Sequence, residues 1–349
     1  MAPAPVPPRG ITMRRAPLLA ATLLAATALA AASLAATAQE KPELTVYTYD
    51  SFVSEWGPGP AVKAKFEAVC DCTLAFVAAG DGAGLLSRLR LEGARSPADV
   101  VLGLDTNLTA EAAATGLFAP HGIADPALDL PVAWEDPVFL PYDYGYFAFV
   151  YDKTKLTDPP RSFEDLIASE HSIVVLDPRG STPGLGLLLW IKDLYGDRAG
   201  EIWEGLAPRI VTVAPGWTEG YNLFLNGEAD MAFSYTTSPA YHAIAENDDT
   251  KAAAIFDAGN YAQIEVAAMT AGTDQPELAR RFLAFMLSDD FQSEIPTTNW
   301  MYPAHTPAAG LPPAMAALPR PATTLLLSPE AARDLRPGAI DEWAAALSR

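Results

Sequence analysis

The chain has 349 residues, of which 50% are hydrophobic and 19% charged, and it carries a formal net charge of −20. That balance repels phosphate backbones and anionic lipid surfaces, so nucleic acid is set aside as a partner; it keeps the protein soluble and mildly favours a cationic small molecule. The length exceeds what one hydrophobic core usually sustains and points to two lobes.

Arg14 and Arg15 precede an uncharged run from Ala16 to Ala38 that is built, Pro17 apart, of Ala, Leu, Thr and Ser. A basic start, an apolar middle and the small-residue ending Ala36-Thr37-Ala38 predict a signal peptide over residues 1–38, with Met13 as an alternative start. The run is long enough to span a bilayer as an uncleaved anchor, but its Ala-rich composition and its ending favour cleavage and a periplasmic location. Residues 1–38 hold three arginines and no acid, so cleavage takes the formal charge from −20 to −23. No cysteine follows the run closely, which excludes lipid attachment at a processed N-terminal Cys.

From Glu43 onward the pattern is strand then helix, repeated, which argues for an α/β fold. Leu44 to Tyr49 alternates as a strand, Pro60 to Val69 has helical composition, and Leu74 to Ala78 is a second strand. Leu85, Leu86, Leu89 and Leu91 fit a helix closing at Gly93, and residues 98–104 a short buried strand. The Pro- and Asp-rich residues 119–143 connect to a β-rich crossover, Tyr144 to Tyr151. A helix starting at Ser162, with Asp165 spaced for a capping box, runs through Ile167. Ser172 to Leu176 is a strand, Leu185 to Tyr195 a helix, Tyr221 to Leu225 helix-like, and Asp230 to Tyr235 a strand. A strand pair, Ala252 to Phe256 and Gln263 to Met269, carries the chain back, followed by a helix around Leu278, Phe282 and Met286. Residues 303–321 read as an irregular tail and Pro329 to Leu347 as a final helix.

Cys70 and Cys72 are the two cysteines. An oxidising compartment permits a disulfide across the single residue between them, though the ring is tight; two free thiols are the alternative. Two ligands without a histidine in the pattern do not make a metal site. There is no His-Glu-x-x-His, no Walker A and no G-x-G-x-x-G, and Ser181 does not sit as a nucleophile elbow requires. His121, His171, His242 and His305 are scattered, with surface or supporting roles expected. No catalytic residue, metal or cofactor is therefore expected.

The stronger signal is aromatic. Tyr47, Tyr49, Trp56, Trp217, Tyr235, Tyr241, Trp300 and Tyr302 fall at strand ends and in adjoining loops, where open α/β sheets bind ligands. Taken singly, each reads as core; taken together, they suit a flat ring, and a cation over a ring face gains about 0.5 to 2 kcal/mol. Asp81-Gly82 follows the second strand and reads as an N-cap or as a carboxylate for a cationic or amino-bearing ligand. Ser181-Thr182-Pro183-Gly184 opens a helix whose free N–H groups suit a phosphate, or are simply capped.

Segments 44–52, 56–60 (Trp-Gly-Pro-Gly-Pro), 98–105, 143–153, 181–190 (Ser-Thr-Pro-Gly-Leu-Gly-Leu-Leu-Leu-Trp), 234–241 (Ser-Tyr-Thr-Thr-Ser-Pro-Ala-Tyr) and 299–303 (Asn-Trp-Met-Tyr-Pro) together resemble the periplasmic thiamine-binding proteins of bacterial ABC importers. The resemblance implies a two-lobed type II periplasmic binding fold hinged on crossover strands, with lobe 1 at residues 39–143 and 265–349, including the C-terminal helix, and lobe 2 at 144–264. It implies ligand contacts at Asp81, Gly82, Ser181, Thr182, Trp217, Tyr235, Thr236, Thr237, Ser238 and Pro239, with Tyr49, Tyr241 and Trp300 as wall residues. It also implies that thiamine or its mono- or diphosphate is the ligand, a membrane permease the partner, and a monomer the working form. One rival is a ferric or other small-solute carrier of the same fold using Tyr142, Tyr144 and Tyr146, which alternate and should share a face. Another is an exported enzyme acting on thiamine, which would need an activated nucleophile.

Overall fold

Three parallel strands and their helices build the first lobe: β1 (Glu43–Thr48), α1 (Gly59–Cys70), β2 (Thr73–Ala78), α2 (Gly82–Glu92), β3 (Val100–Asp105) and α3 (Thr106–Ala114). In this computed structural model residues 41–124 and 126–348 are described, and those from Pro42 onward form one compact unit; the expected signal peptide at 1–38 lies outside the described residues. β1 pairs in parallel with β2 on one side and β3 on the other. Every residue of β3 is buried, as a strand covered on both faces by helices should be. Asp71 ends α1 in a left-handed conformation (φ 52°), and this sharp turn lets Cys70 and Cys72 close a buried disulfide across a Cα–Cα distance of 5.1 Å.

The first crossover strand, β4, runs Leu140–Asp152 and so begins earlier than the expected Tyr144. Pro141 reads as a breaker in sequence, but it falls where β4 bulges. Asp143 lies opposite Glu265 and Pro141 opposite Val266, leaving Tyr142 as the extra residue. A bulge tolerates a proline and re-aims the side chain beside it. The expected common face of Tyr142, Tyr144 and Tyr146 is broken as a result. Tyr142 packs with the first lobe's core, while Tyr144 and Tyr146 join Tyr302, bonded to Arg320 and Thr324.

The second lobe follows as α4 (Phe163–Ala168), β5 (Ile173–Leu176), α5 (Thr182–Tyr195), α6 (Ala199–Leu206), β6 (Ile210–Ala214), α7 (Trp217–Leu225) and β7 (Met231–Tyr235). The Ser162 hydroxyl accepts from the Asp165 N–H and caps α4, whereas the Asp165 carboxylate turns to the Arg161 N–H. α6 and β6 are not anticipated by the sequence reading, although Ile202, Trp203 and Leu206 bury one face of α6. The returning crossover strand, β8 (Asn260–Thr270), is antiparallel to both β3 and β4. The strand order is β2-β1-β3-β8-β4-β7-β5-β6. The long β4 pairs with β8 through its first half and with β7 through its second, so one strand belongs to both halves of the sheet.

After α8 (Pro276–Phe285) and an irregular stretch, α9 (Pro329–Leu347) ends the chain. Assigned from sequence to the first lobe, α9 packs against α3 of that lobe and also against α5 and α6 of the other. Arg336 pairs with Glu111 on α3 at 2.7 Å, and Glu342 with Lys192 on α5 at 2.7 Å. Among the described residues no helix is long and apolar enough to cross a membrane.

α5 lies close against β4 at Gly186, where an added Cβ would fall 2.0 Å from the Phe147 ring. Phe147 is itself fully buried, so neither partner can yield freely. Gly186→Ala is expected to cost roughly 1 to 3 kcal/mol of stability, seen as a lower denaturant midpoint at unchanged slope.

Candidate functional site

A cleft of about 820 Å³ lies between the lobes, lined from one side by the loops after β1 and β2 and from the other by the starts of α5 and α7. Its walls are aromatic. Trp217 opens α7; its indole N–H donates to the Ser234 hydroxyl at 2.8 Å and its ring stacks on Tyr221 at 5.1 Å and 16°. The Tyr221 hydroxyl bonds His242 Nε2 at 2.9 Å, His242 Nδ1 bonds Glu246 at 2.7 Å, and Glu246 accepts from the Tyr241 hydroxyl at 2.9 Å. His242 and Glu246 thus tie two wall tyrosines together from behind. Tyr241 meets Trp300 edge to face at 5.2 Å. Trp300 has φ 57°, an unusual conformation for a bulky residue, following a π-helical turn at Ile295–Asn299.

The two lobes touch directly at the cleft edge. The Asp81 carboxylate, in the loop after β2, accepts from the Thr182 N–H (2.9 Å) and the Thr182 hydroxyl (2.7 Å) at the start of α5. The Gly82 N–H donates to the Thr182 hydroxyl oxygen at 3.0 Å. Ser181 caps the same helix, its hydroxyl accepting from the Gly184 N–H. The helix terminus that could seat a phosphate is therefore filled by a carboxylate of the opposite lobe.

The deep end of the cleft is acidic. Glu265 on β8 accepts from the hydroxyls of Tyr142 (2.9 Å) and Tyr49 (3.1 Å) and from the Gln263 amide (2.9 Å). Asn299 donates to Asp143 at 2.6 Å and accepts from Tyr49 at 3.1 Å. Asp105 caps α3 through Asn107 and is wholly buried. Burial, then the charges of Glu265 and Asp81, pushes its carboxyl up to about 7 against the hydrogen bonds from Asn107. Burial first, then mutual repulsion for Asp143 and the charge of Asp81 for Glu265, raises both of those carboxyls. Burial and the same carboxylates hold the Tyr49 and Tyr235 phenols well above their ordinary value, so both stay neutral. Gly103 sets the position of Tyr49: at φ +107° its missing Cβ leaves room for the ring, whose Cδ1 would lie 2.2 Å away.

Of the residues singled out from sequence, Tyr49, Asp81, Thr182 and Trp217 line the cleft, as do Tyr235, Ser238, Tyr241 and Trp300. Gly82, Ser181, Thr236, Thr237 and Pro239 are buried beside it and do not line it. Of the other aromatics named, Trp56 and Trp217 approach at 6.2 Å across the mouth, while Tyr47 and Tyr302 are core. Glu265, Asn299 and Tyr221 line the cleft and were not singled out. Tyr221 stands one helical turn from Trp217, and Glu265 is a charge inside an otherwise apolar strand, signals available in the sequence.

Removing the latch should loosen the empty cleft. Unliganded Asp81→Ala is expected to show a larger radius of gyration than the wild type by small-angle X-ray scattering, and an unchanged radius would mean the lobes are held by other contacts. A second expectation concerns pH. The folded state binds the Asp105 proton more tightly than the unfolded chain, so that contribution to stability is complete below the ordinary carboxyl value of 3.8 and is lost as pH rises through about 7. Melting temperature should fall across that window, and Asp105→Asn should flatten the fall.

The sequence and fold have relatives. Residues 56–293 match the family model described as bacterial extracellular solute-binding protein. The thiamine-binding periplasmic protein of Escherichia coli (strain K12) is 55% identical over 311 residues, covering 88% of this chain and 94% of the other. The solved structure of a periplasmic thiamin binding protein superposes with a TM-score of 0.86 at 54% identity, covering 88% of this chain and 97% of that one. Iron-bound HitA from Pseudomonas aeruginosa matches with a TM-score of 0.70 at 23% identity over 87% of this chain and 99% of that one, a likeness of fold alone. The fold is that of type II periplasmic binding proteins, and the chain belongs to the bacterial extracellular solute-binding proteins.

Proposed function

We propose that this protein captures thiamine in the periplasm, after cleavage of its signal peptide, and delivers it to the permease of an ABC importer. The observation that carries the reading is an aromatic-walled cleft with an acidic deep end, suited to a flat cationic ring. The name shared by relatives at about half identity over nearly their full length supports the same solute.

In this reading Trp217, backed by Tyr221, stacks on a ring of the ligand, and Tyr241 with Trp300 closes the opposite wall. Tyr49, Asn299 and Glu265 meet the polar and cationic groups. Asp81, Thr182 and Ser238 contact the ligand where the lobes converge, and Gly82, Ser181, Thr236, Thr237 and Pro239 shape those loops from behind. A phosphate tail has to share the start of α5 with Asp81, which makes the mono- and diphosphates the informative comparison. Lobes at residues 39–143 with 265–349 and at 144–264 close over the solute about β4 and β8, and the protein works as a monomer. Binding proceeds without chemistry: closure follows from contacts that both lobes make to one ligand.

Calorimetric titration of protein freed of ligand by unfolding and refolding should give one site per chain for thiamine and rank it against its mono- and diphosphate. Trp217→Ala should weaken binding by about tenfold or more. Mass analysis after long incubation should recover the ligand unchanged; turnover, or silence with all three forms in a folded sample, would remove the reading.

A further inference from the structure

Asp143 and Glu265 face each other across the antiparallel pairing of β4 and β8. Both are buried, and like charges directly opposed on neighbouring strands repel. The groups around them, element by element, are Tyr49 just after β1, Tyr142 on the bulge of β4, Gln263 on β8, Tyr235 on β7 and Asn299 at the end of the π-helical turn. Asp81 and Asp105 add negative charge from the first lobe. Among the described residues no lysine, arginine or histidine pairs with Asp143 or Glu265.

The two carboxyls are not equivalent. Glu265 lines the cleft and accepts hydrogen bonds on both of its oxygens, an environment that can hold the ionised form. Asp143 stands behind it, and its Oδ1 is buried without a partner. A buried oxygen with no donor is the natural seat of a proton, and two buried carboxylates in contact cannot both ionise without a compensating charge.

We propose that Glu265 is the ligand's counter-charge and that capture of a cationic solute expels a proton from the Asp143–Glu265 pair. In the empty cleft below neutral pH both carboxyls are protonated. When the cation enters, the Glu265 O–H bond breaks, the proton leaves through the open cleft to the buffer, and the carboxylate stays paired with the ligand while Asp143 keeps its proton. The inference rests on the cationic ligand proposed above and adds a linkage that stacking alone does not require. It also explains how Asp143 and Glu265 can face each other with no basic partner: the pair is neutralised by protons until a cation replaces one.

The test is titration of the wild-type protein with thiamine at mildly acid pH in MES and in Bis-Tris, whose ionisation enthalpies differ. Proton release predicts different observed heats in the two buffers, and an affinity that rises with pH by up to about tenfold per unit below the titration of Glu265. Glu265→Gln should bind more weakly, with heats independent of buffer. Should that variant fail to fold, Asp143→Asn serves instead. Without the opposing carboxyl Glu265 is ionised earlier, and the buffer dependence should shrink. Tight binding with equal heats in both buffers would overturn the proton linkage and leave thiamine capture standing, whereas absence of binding would remove both.

Discussion

The pairing of β4 with β8 is the constraint on which the rest of the structure depends. It joins the two halves of the sheet and contributes the buried floor of the cleft. Its bulge at Tyr142 turns a phenol toward Glu265 instead of letting it follow Tyr144 and Tyr146 into another cluster. A sheet that runs from lobe to lobe through two strands sets both lobes on one frame, and a single hydrophobic cluster, from Val101 and Leu104 in the first lobe to Phe147 and Trp190 in the second, continues across it. Asp143 and Glu265 are carried on those two strands, where the lobes meet.

The aromatic wall is specific because it is held from behind. Trp217 presents its face to the cleft because Ser234 fixes its N–H and Tyr221 fixes its plane. Tyr221 and Tyr241 share the His242–Glu246 pair as their anchor. Such backing restricts rotamers before a ligand arrives, so less freedom is lost on binding. None of these supports has to touch the solute; each sets an angle at which a ring can stack.

Much of the first lobe was legible because its strands are short apolar runs with helices of clear period between them. The start of β4 was not, since Pro141 looks like the end of a connection until the bulge that accommodates it is known. α6 and β6 were missed because Gly196, Pro208 and the charges around them mask two short elements. In the site, residues flagged by type, such as Trp217 and Trp300, reached the cleft, while loop neighbours such as Thr236 and Thr237 turned into the protein. Local sequence says which loop is near the ligand, but not which side chains of that loop face it. The contact of Asp81 with Thr182 joins positions a hundred residues apart and had no local signal.

That contact has a kinetic consequence. With the empty lobes already joined by the Asp81 carboxylate, parting them at that edge breaks two hydrogen bonds, and bringing them back re-forms the pair from groups the protein itself supplies. Each such opening carries a barrier, so the joined arrangement is the longer-lived one at that edge. The contact also occupies the start of α5, so any group that seeks that helix terminus meets a carboxylate already seated there.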